Sequence, residues 1–217
     1  MSTIAIIGGH GRIALLAARE LADAGHTPLA VIRNPAQSDD VRAAGATPVV
    51  VDIESASAAD LAGAIGAADA IVFAAGAGPG SGAARKETVD HQGSVLSIAA
   101  AGLLGTRRFV QISYLGADVP DTSGDEVFAA YQVAKKAADD ALRASDLDWT
   151  IVRPGSLNDE PRTGRVLIDP SITRGTTSRA NTAALVAALA VRPLAVHSVL
   201  NVIDGDIPLD EALAALG

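Results

Sequence analysis

The chain contains no cysteine. That excludes a disulfide framework, a thiolate metal site and a cysteine nucleophile, and it suits a reducing compartment. Aromatic residues are scarce: one Trp, two Tyr and three Phe make up 3% of the sequence. A core must therefore come from Ala, Val, Ile and Leu, and a hydrophobic fraction of 49% is ample for one. Basic residues are outnumbered, 17 Lys and Arg against 25 Asp and Glu, which leaves a net charge of −8. Such a surface repels nucleic acid and anionic lipid, and no Lys/Arg cluster offsets it. A signal-peptide pattern is missing, since Met1-Ser2-Thr3 leads straight into a strand-like run. The longest apolar stretch, Ala62 to Gly80, is broken by Asp69 and by glycines, so it does not read as a membrane span. The four histidines, at 10, 26, 91 and 197, lack ligand spacing, and neither G-x-S-x-G nor H-E-x-x-H occurs. The expectation is a cytoplasmic protein, monomer or homodimer, with a small-molecule substrate, no metal and no nucleic-acid or membrane partner.

What is present is an alternation. Short apolar runs at Thr3–Gly8, Pro28–Arg33, Thr47–Val51, Ala70–Ala74, Arg108–Ser113, Trp149–Arg153 and Ser198–Val202 read as strands. Helical patterns separate them at Gly11–Ala24, Ala36–Ala44, Ala58–Ile65, Ala84–Ala101, Val127–Arg143 and Arg179–Ala190, with a closing helix at Leu209–Leu216. Repeated βα units with continuously apolar strands predict an α/β fold, a doubly wound, mainly parallel sheet of about seven strands with helices on both faces. Residues 1–217 are read as a single domain. Pro154–Ser178 reads as its least regular part.

Ligands of such sheets sit outside the carboxyl ends of the strands. The first strand ends in Gly8-Gly9-His10-Gly11-Arg12-Ile13-Ala14, which fits both G-x-G-x-x-A and G-x-x-G-x-x-A. Glycines there allow a tight turn and let backbone N–H groups approach a pyrophosphate at a positive helix end. Residues 8 to 13 are the candidate phosphate cradle. The second strand ends in Arg33-Asn34, about twenty residues past the glycine turn, where NAD enzymes place an acid for the ribose 2′-hydroxyl. A guanidinium there can clamp a 2′-phosphate, so NADP is expected ahead of NAD. Asp52, followed by Ile53, can reach the adenine amine. Ala74-Ala75-Gly76 leaves room for ribose and phosphates. Gly76–Gly82 reads either as a flexible loop over the site or as a plain connection.

Tyr131-x-x-x-Lys135 lies on a helical pattern, so the two side chains share a face. With so few Tyr and Lys, chance would produce this spacing in roughly 3% of such chains. A lysine beside a phenol favours the phenolate, and the phenol can then serve as acid or base on a carbonyl. The lysine can also hold the nicotinamide ribose. Ser113, at the end of a strand, can bind the same carbonyl oxygen.

Together with Trp149-Thr150-Ile151-Val152-Arg153-Pro154-Gly155, these motifs resemble the atypical short-chain dehydrogenase/reductases. Within them the chain is most similar to the small NAD(P)H-binding, NmrA-like group that includes flavin and biliverdin reductases. The resemblance implies a Rossmann fold, with Lys135 on the ribose and Arg153, Pro154 and Gly155 near the nicotinamide. His10 departs from the threonine usual at that point of the turn. Larger relatives carry a C-terminal substrate domain. Here the substrate side must be built from about 113–125 and 154–217. Two functional classes follow. One is an NADP-dependent oxidoreductase on a small carbonyl, quinone or flavin-like substrate, or a redox-neutral relative such as an epimerase. The other is a non-catalytic NADP(H) sensor.

Overall fold

A computed structural model describes residues 1–78 and 80–217. At its centre is β1 (Thr3–Ile7), a run of β-branched and small residues buried on both faces. Alternate residues of this strand feed two separate cores. Ile4 and Ile6 face one layer, and Ala5 and Ile7 the other. On one side β1 pairs in parallel with β2 (Thr27–Ile32), which pairs with β3 (Thr47–Val50). On the other side follow β4 (Ala70–Phe73), β5 (Arg108–Ile112) and β6 (Asp148–Pro154), again all parallel.

The order 3-2-1-4-5-6 is that of a Rossmann sheet, with its switch point between β1 and β4. Short strands β7 (Ser156–Asn158), β8 (Arg165–Ile168) and β9 (Thr176–Ser178) lie in the segment read from sequence as irregular. Beyond β6 the sheet continues through β10 (Ser198–Asp204), which is parallel to it. It ends in an antiparallel edge of β8 and β11 (Ile207–Pro208). The main sheet thus has nine strands rather than about seven, and β7 and β9 form a separate parallel pair. The added strands are two to four residues long, too short for a period to show.

One face carries α1 (Arg12–Asp23), α2 (Ser38–Ala43), α7 (Arg179–Val191) and α8 (Leu209–Ala214). The other carries α3 (Ala58–Ile65), α5 (Gly93–Leu104) and α6 (Glu126–Arg143). The helix expected at Ala84–Ala101 is divided. It begins as α4 (Gly82–Arg85), passes through a π-helical stretch, Lys86–Gln92, and only then becomes α5. Such wide turns are rare and recur at functional sites. Here the stretch buries Lys86 and Asp90 toward the sheet. Among the described residues, no helix is long and apolar enough to cross a membrane.

Candidate active site

The turn from β1 into α1 is set by two different demands. A Cβ on Gly8, whose φ is +80°, would lie 2.5 Å from Ala75 Cα, and one on Gly9 would lie 2.5 Å from Ala30 Cβ. The packing of the turn on β2 and on the end of β4 excludes both side chains. Gly11 differs. Its Cβ would meet only the Gly8 carbonyl at 3.2 Å and two atoms at 3.8 Å. Gly11 is also the N-cap of α1, which has no side-chain cap and no acidic residue in its first turn. The positive end of a 12-residue helix therefore opens beside an uncrowded glycine.

A cavity of about 340 Å³ lies over this turn, lined by Gly8, His10, Gly11, the ends of β2 and β3, and residues 74–77. Arg33, Asn34, Asp52 and Ile53 all line it. Asn34 Oδ1 accepts from the Ala36 N–H at 3.0 Å, and Asp52 Oδ1 from the Glu54 N–H at 3.0 Å, so both also shape their loops. Arg33 donates to Glu54 at 2.9 Å. Arg85 donates to the same carboxylate at 2.6 Å. Arg85's hydrogen bond holds the Glu54 carboxyl below its usual range. His10 contacts Asp40 at 2.8 Å. Gly9 and Arg12 do not line the cavity: Gly9 is buried against Ala30, and Arg12 pairs with Asp159.

A second cavity, of about 590 Å³, shares residues 74–76 with the first and adds Ile13, Lys86, Asp90, Ser113, Phe128, Tyr131 and Lys135. A third, of about 560 Å³, shares Ser113, Phe128, Tyr131 and Leu157 with the second and reaches Pro154 and Gly155. The three form one continuous groove across the carboxyl ends of the strands. Tyr131 stands where the second meets the third.

The chemistry of the pair differs from the sequence expectation in one respect. Lys135 does not act on the Tyr131 phenol. Its Nζ donates to the Ile112 carbonyl at 2.6 Å and lies 5.8 Å from the Phe73 ring centre. Burial lowers the ammonium's pKa, opposed by Asp90 and Asp139. Burial, with Asp90 adding its negative charge, pushes the Tyr131 phenol above its ordinary value of 10.0. The ring is therefore a protonated acid at neutral pH rather than a phenolate. Among the described residues its hydroxyl has no hydrogen-bond partner, which leaves its proton free for a ligand.

Ser113 is also committed. Its hydroxyl donates to Asp139 at 2.8 Å. Toward the groove it offers lone pairs, so it cannot donate to a carbonyl while that bond holds. Asp139 is fully buried and accepts from Gln111 at 2.8 Å and from Arg153 at 2.8 and 3.2 Å. Arg153 continues to Asp118 at 2.6 Å. This ties Arg153 into the scaffold below the groove rather than leaving it free for the cofactor.

Sequence reasoning missed Asp90, Asp139, Glu54 and Arg85. Asp90 is 2% exposed, faces the second cavity and accepts from the Ala77 N–H at 2.9 Å. Its carboxyl is raised by burial, with Lys135 opposing. Nothing in a helical pattern marks a π turn, so this acid reads as solvated. Asp139 did leave a signal: Tyr131, Lys135 and Asp139 recur every four residues on one face of α6.

The sequence of residues 8–193 matches the profile of a family described as NAD(P)H-binding. The chain belongs to this NAD(P)H-binding family. With it come the atypical short-chain dehydrogenase/reductases as its setting. Among curated relatives, the uncharacterized sugar epimerase YhfK of Bacillus subtilis is 36% identical, over 88% of this chain and 88% of its own. Among solved structures, a provisionally named NAD-dependent epimerase/dehydratase of Bacillus halodurans superposes with a TM-score of 0.92 at 34% identity, over 100% of both chains. The oxidoreductase YlbE of Lactococcus lactis follows at a TM-score of 0.85 and 25% identity, covering 99% of this chain and 96% of its own.

Proposed function

We propose that this chain is a cytoplasmic NADP-dependent oxidoreductase acting on a small carbonyl, quinone or flavin-like substrate. The uncapped α1 N-terminus, the open space at Gly11 and the adjoining cavities fit a dinucleotide. Arg33, with Arg85 beside it, supports NADP over NAD, because two guanidiniums suit a phosphate better than a hydroxyl does. Glycine-turn N–H groups would hold the pyrophosphate, Asp52 the adenine, and Lys135 the ribose. When bound, the nicotinamide supplies a hydride.

The observation that carries the reading is Tyr131. A phenol kept protonated at neutral pH by desolvation, without a hydrogen-bond partner among the described residues and at a cavity junction, is suited to protonating an oxygen or nitrogen on the substrate. Lys135 would lie near the ribose, its ammonium disfavoured by burial and supported by Asp90 and Asp139, and Asp90 opposes loss of the phenolic proton. Flat substrates suit the walls. Tyr131 packs on Tyr114 with ring centres 5.3 Å apart and on Phe128 at 5.9 Å, so half of this chain's six aromatic residues gather at one groove.

The test is NADPH consumption against flavins, quinones and small carbonyl compounds, alongside titration of both cofactors. Tighter binding of NADPH than NADH, reversed by Arg33→Asp, is expected. Equal affinities in the unmodified protein sink the NADP assignment. Binding without turnover on any substrate favours the sensor instead. The names of the 34–36% identical relatives favour a redox-neutral epimerase as second reading. That reaction consumes no NADPH: a substrate hydride would pass to the oxidised cofactor and return to the opposite face, so the inverted stereocentre, followed by NMR, is its readout.

A further inference from the structure

Glu54 was not anticipated from the sequence, and its position is unusual for an anion. It follows β3 in a tight turn that Asp52 closes on the Glu54 N–H at 3.0 Å. Its carboxylate lies between two cations. Oε2 accepts from Arg33 Nη1 at 2.9 Å and from Arg85 Nη2 at 2.6 Å, while Oε1 accepts from Thr88 Oγ1 at 2.6 Å and Arg85 Nε at 3.3 Å. The carboxylate is the deepest of the three groups. Its side chain is 21% exposed, against 36% for Arg85 and 55% for Arg33. All three line the cavity that would take the adenosine end.

We infer that Glu54 sets the cofactor ratio: it is an internal anion that pre-forms the Arg33–Arg85 fork and competes with a 2′-phosphate for both guanidiniums. The inference rests on the dinucleotide reading above. A phosphate monoester carries about −1.5 to −2 charge at neutral pH. To use the fork it must share both cations with a carboxylate only partly accessible to water, and the two anions repel. A 2′-hydroxyl meets no such repulsion and can donate to Glu54. Glu54 thus narrows the preference that two arginines alone would give. Without it the fork would discriminate more strongly, because both guanidiniums would lose their internal counter-ion.

The test is Glu54→Gln, which removes the charge and keeps one oxygen for Thr88 Oγ1 and Arg85 Nε, while an amide NH2 takes the place of the oxygen that accepts from Arg33 Nη1 and Arg85 Nη2. Adenosine 2′-monophosphate and NADPH, compared with adenosine and NADH, are titrated by calorimetry at low and high salt. The 2′-phosphate ligands should bind roughly tenfold tighter to the variant at low salt, as expected for removing one like charge at short range. The others should change less than about twofold, and the salt dependence should steepen. Unchanged or weaker binding of the 2′-phosphate ligands by a folded Glu54→Gln protein overturns the inference. Arg33→Ala and Arg85→Ala separate this from failure of the underlying reading. If both leave the NADPH-to-NADH ratio at its original value, the adenosine end lies elsewhere and both proposals fall. If they lower it while Glu54→Gln changes nothing, only the role of Glu54 is lost.

Discussion

Asp139→Ala isolates the scaffold beneath the active site. Its carboxylate is wholly buried and accepts four hydrogen bonds, one each from Gln111 and Ser113 and two from Arg153, whose own side chain is 4% exposed. Truncation leaves the Gln111 amide and the Arg153 Nε without acceptors and removes the one fully buried counter-charge of that guanidinium. Removing one partner of a buried pair typically destabilises by about 3–5 kcal/mol. For a domain of this length, that lowers the melting temperature by about 6–20 °C. Asp118→Ala is the control. It removes a carboxylate bonded to the same arginine at 2.6 and 2.8 Å, but Asp118 is 53% exposed. Water can replace it, so about 1 kcal/mol or less is expected. Calorimetric or fluorescence-monitored melts of the two variants beside the parent give the comparison. Equal and small shifts, below about 2 °C in both, would refute the argument that Asp139 anchors Ser113 and Arg153.

Tyr131→Phe should lower kcat by about 10²–10⁴-fold while cofactor affinity and melting temperature stay near the parent, since the lost hydroxyl has no hydrogen-bond partner among the described residues; full activity removes the proton-donor role. The pH profile of kcat tests the same group. An acid must be protonated to work, and this phenol is raised above its ordinary value of 10.0, so no loss of activity from Tyr131 should occur below about pH 10. An alkaline limb near pH 8 that vanishes in Tyr131→Phe contradicts it. Gly11→Val should leave a folded protein that calorimetry finds unable to bind NADPH. Normal affinity there moves the phosphate site elsewhere. Lys135→Met should weaken NADPH binding as well as turnover, and an unchanged dissociation constant excludes the ribose contact.

The mainly parallel class of the sheet was readable because its central strands are short apolar runs, as in Ile4-Ala5-Ile6-Ile7 and Ile71-Val72-Phe73. The residues lining the groove were readable where local sequence determines them: a glycine turn after the first strand, or Tyr131 and Lys135 one turn apart. Electrostatics was not. The expectation that Lys135 lowers the Tyr131 pKa rested on the two side chains sharing a helix face. In the fold Lys135 is buried and held by the Ile112 carbonyl, Tyr131 is half-buried and desolvated, and Asp90 arrives from a π turn 41 positions upstream of Tyr131. Likewise, Ser113 ends its strand as expected, but the direction of its proton depends on Asp139, which lies in a different element. Burial and charge partners are properties of the assembled structure, and no local pattern encodes them.

The three glycines of the first turn are under unequal constraint, and that affects how descendants of this chain could be read. The fold holds Gly8 and Gly9, since any side chain there collides with Ala75 or Ala30, and the φ of +80° at Gly8 adds to this. Gly11 is less crowded: a Cβ there would press only on the Gly8 carbonyl, at 3.2 Å. A lineage that abandoned nucleotide binding but still needed to fold would keep the first two glycines and be free to drift at the third. In a duplicated copy, then, a persistent Gly-Gly pair says nothing about function, whereas a bulky residue at position 11 marks a fold that has outlived its ligand.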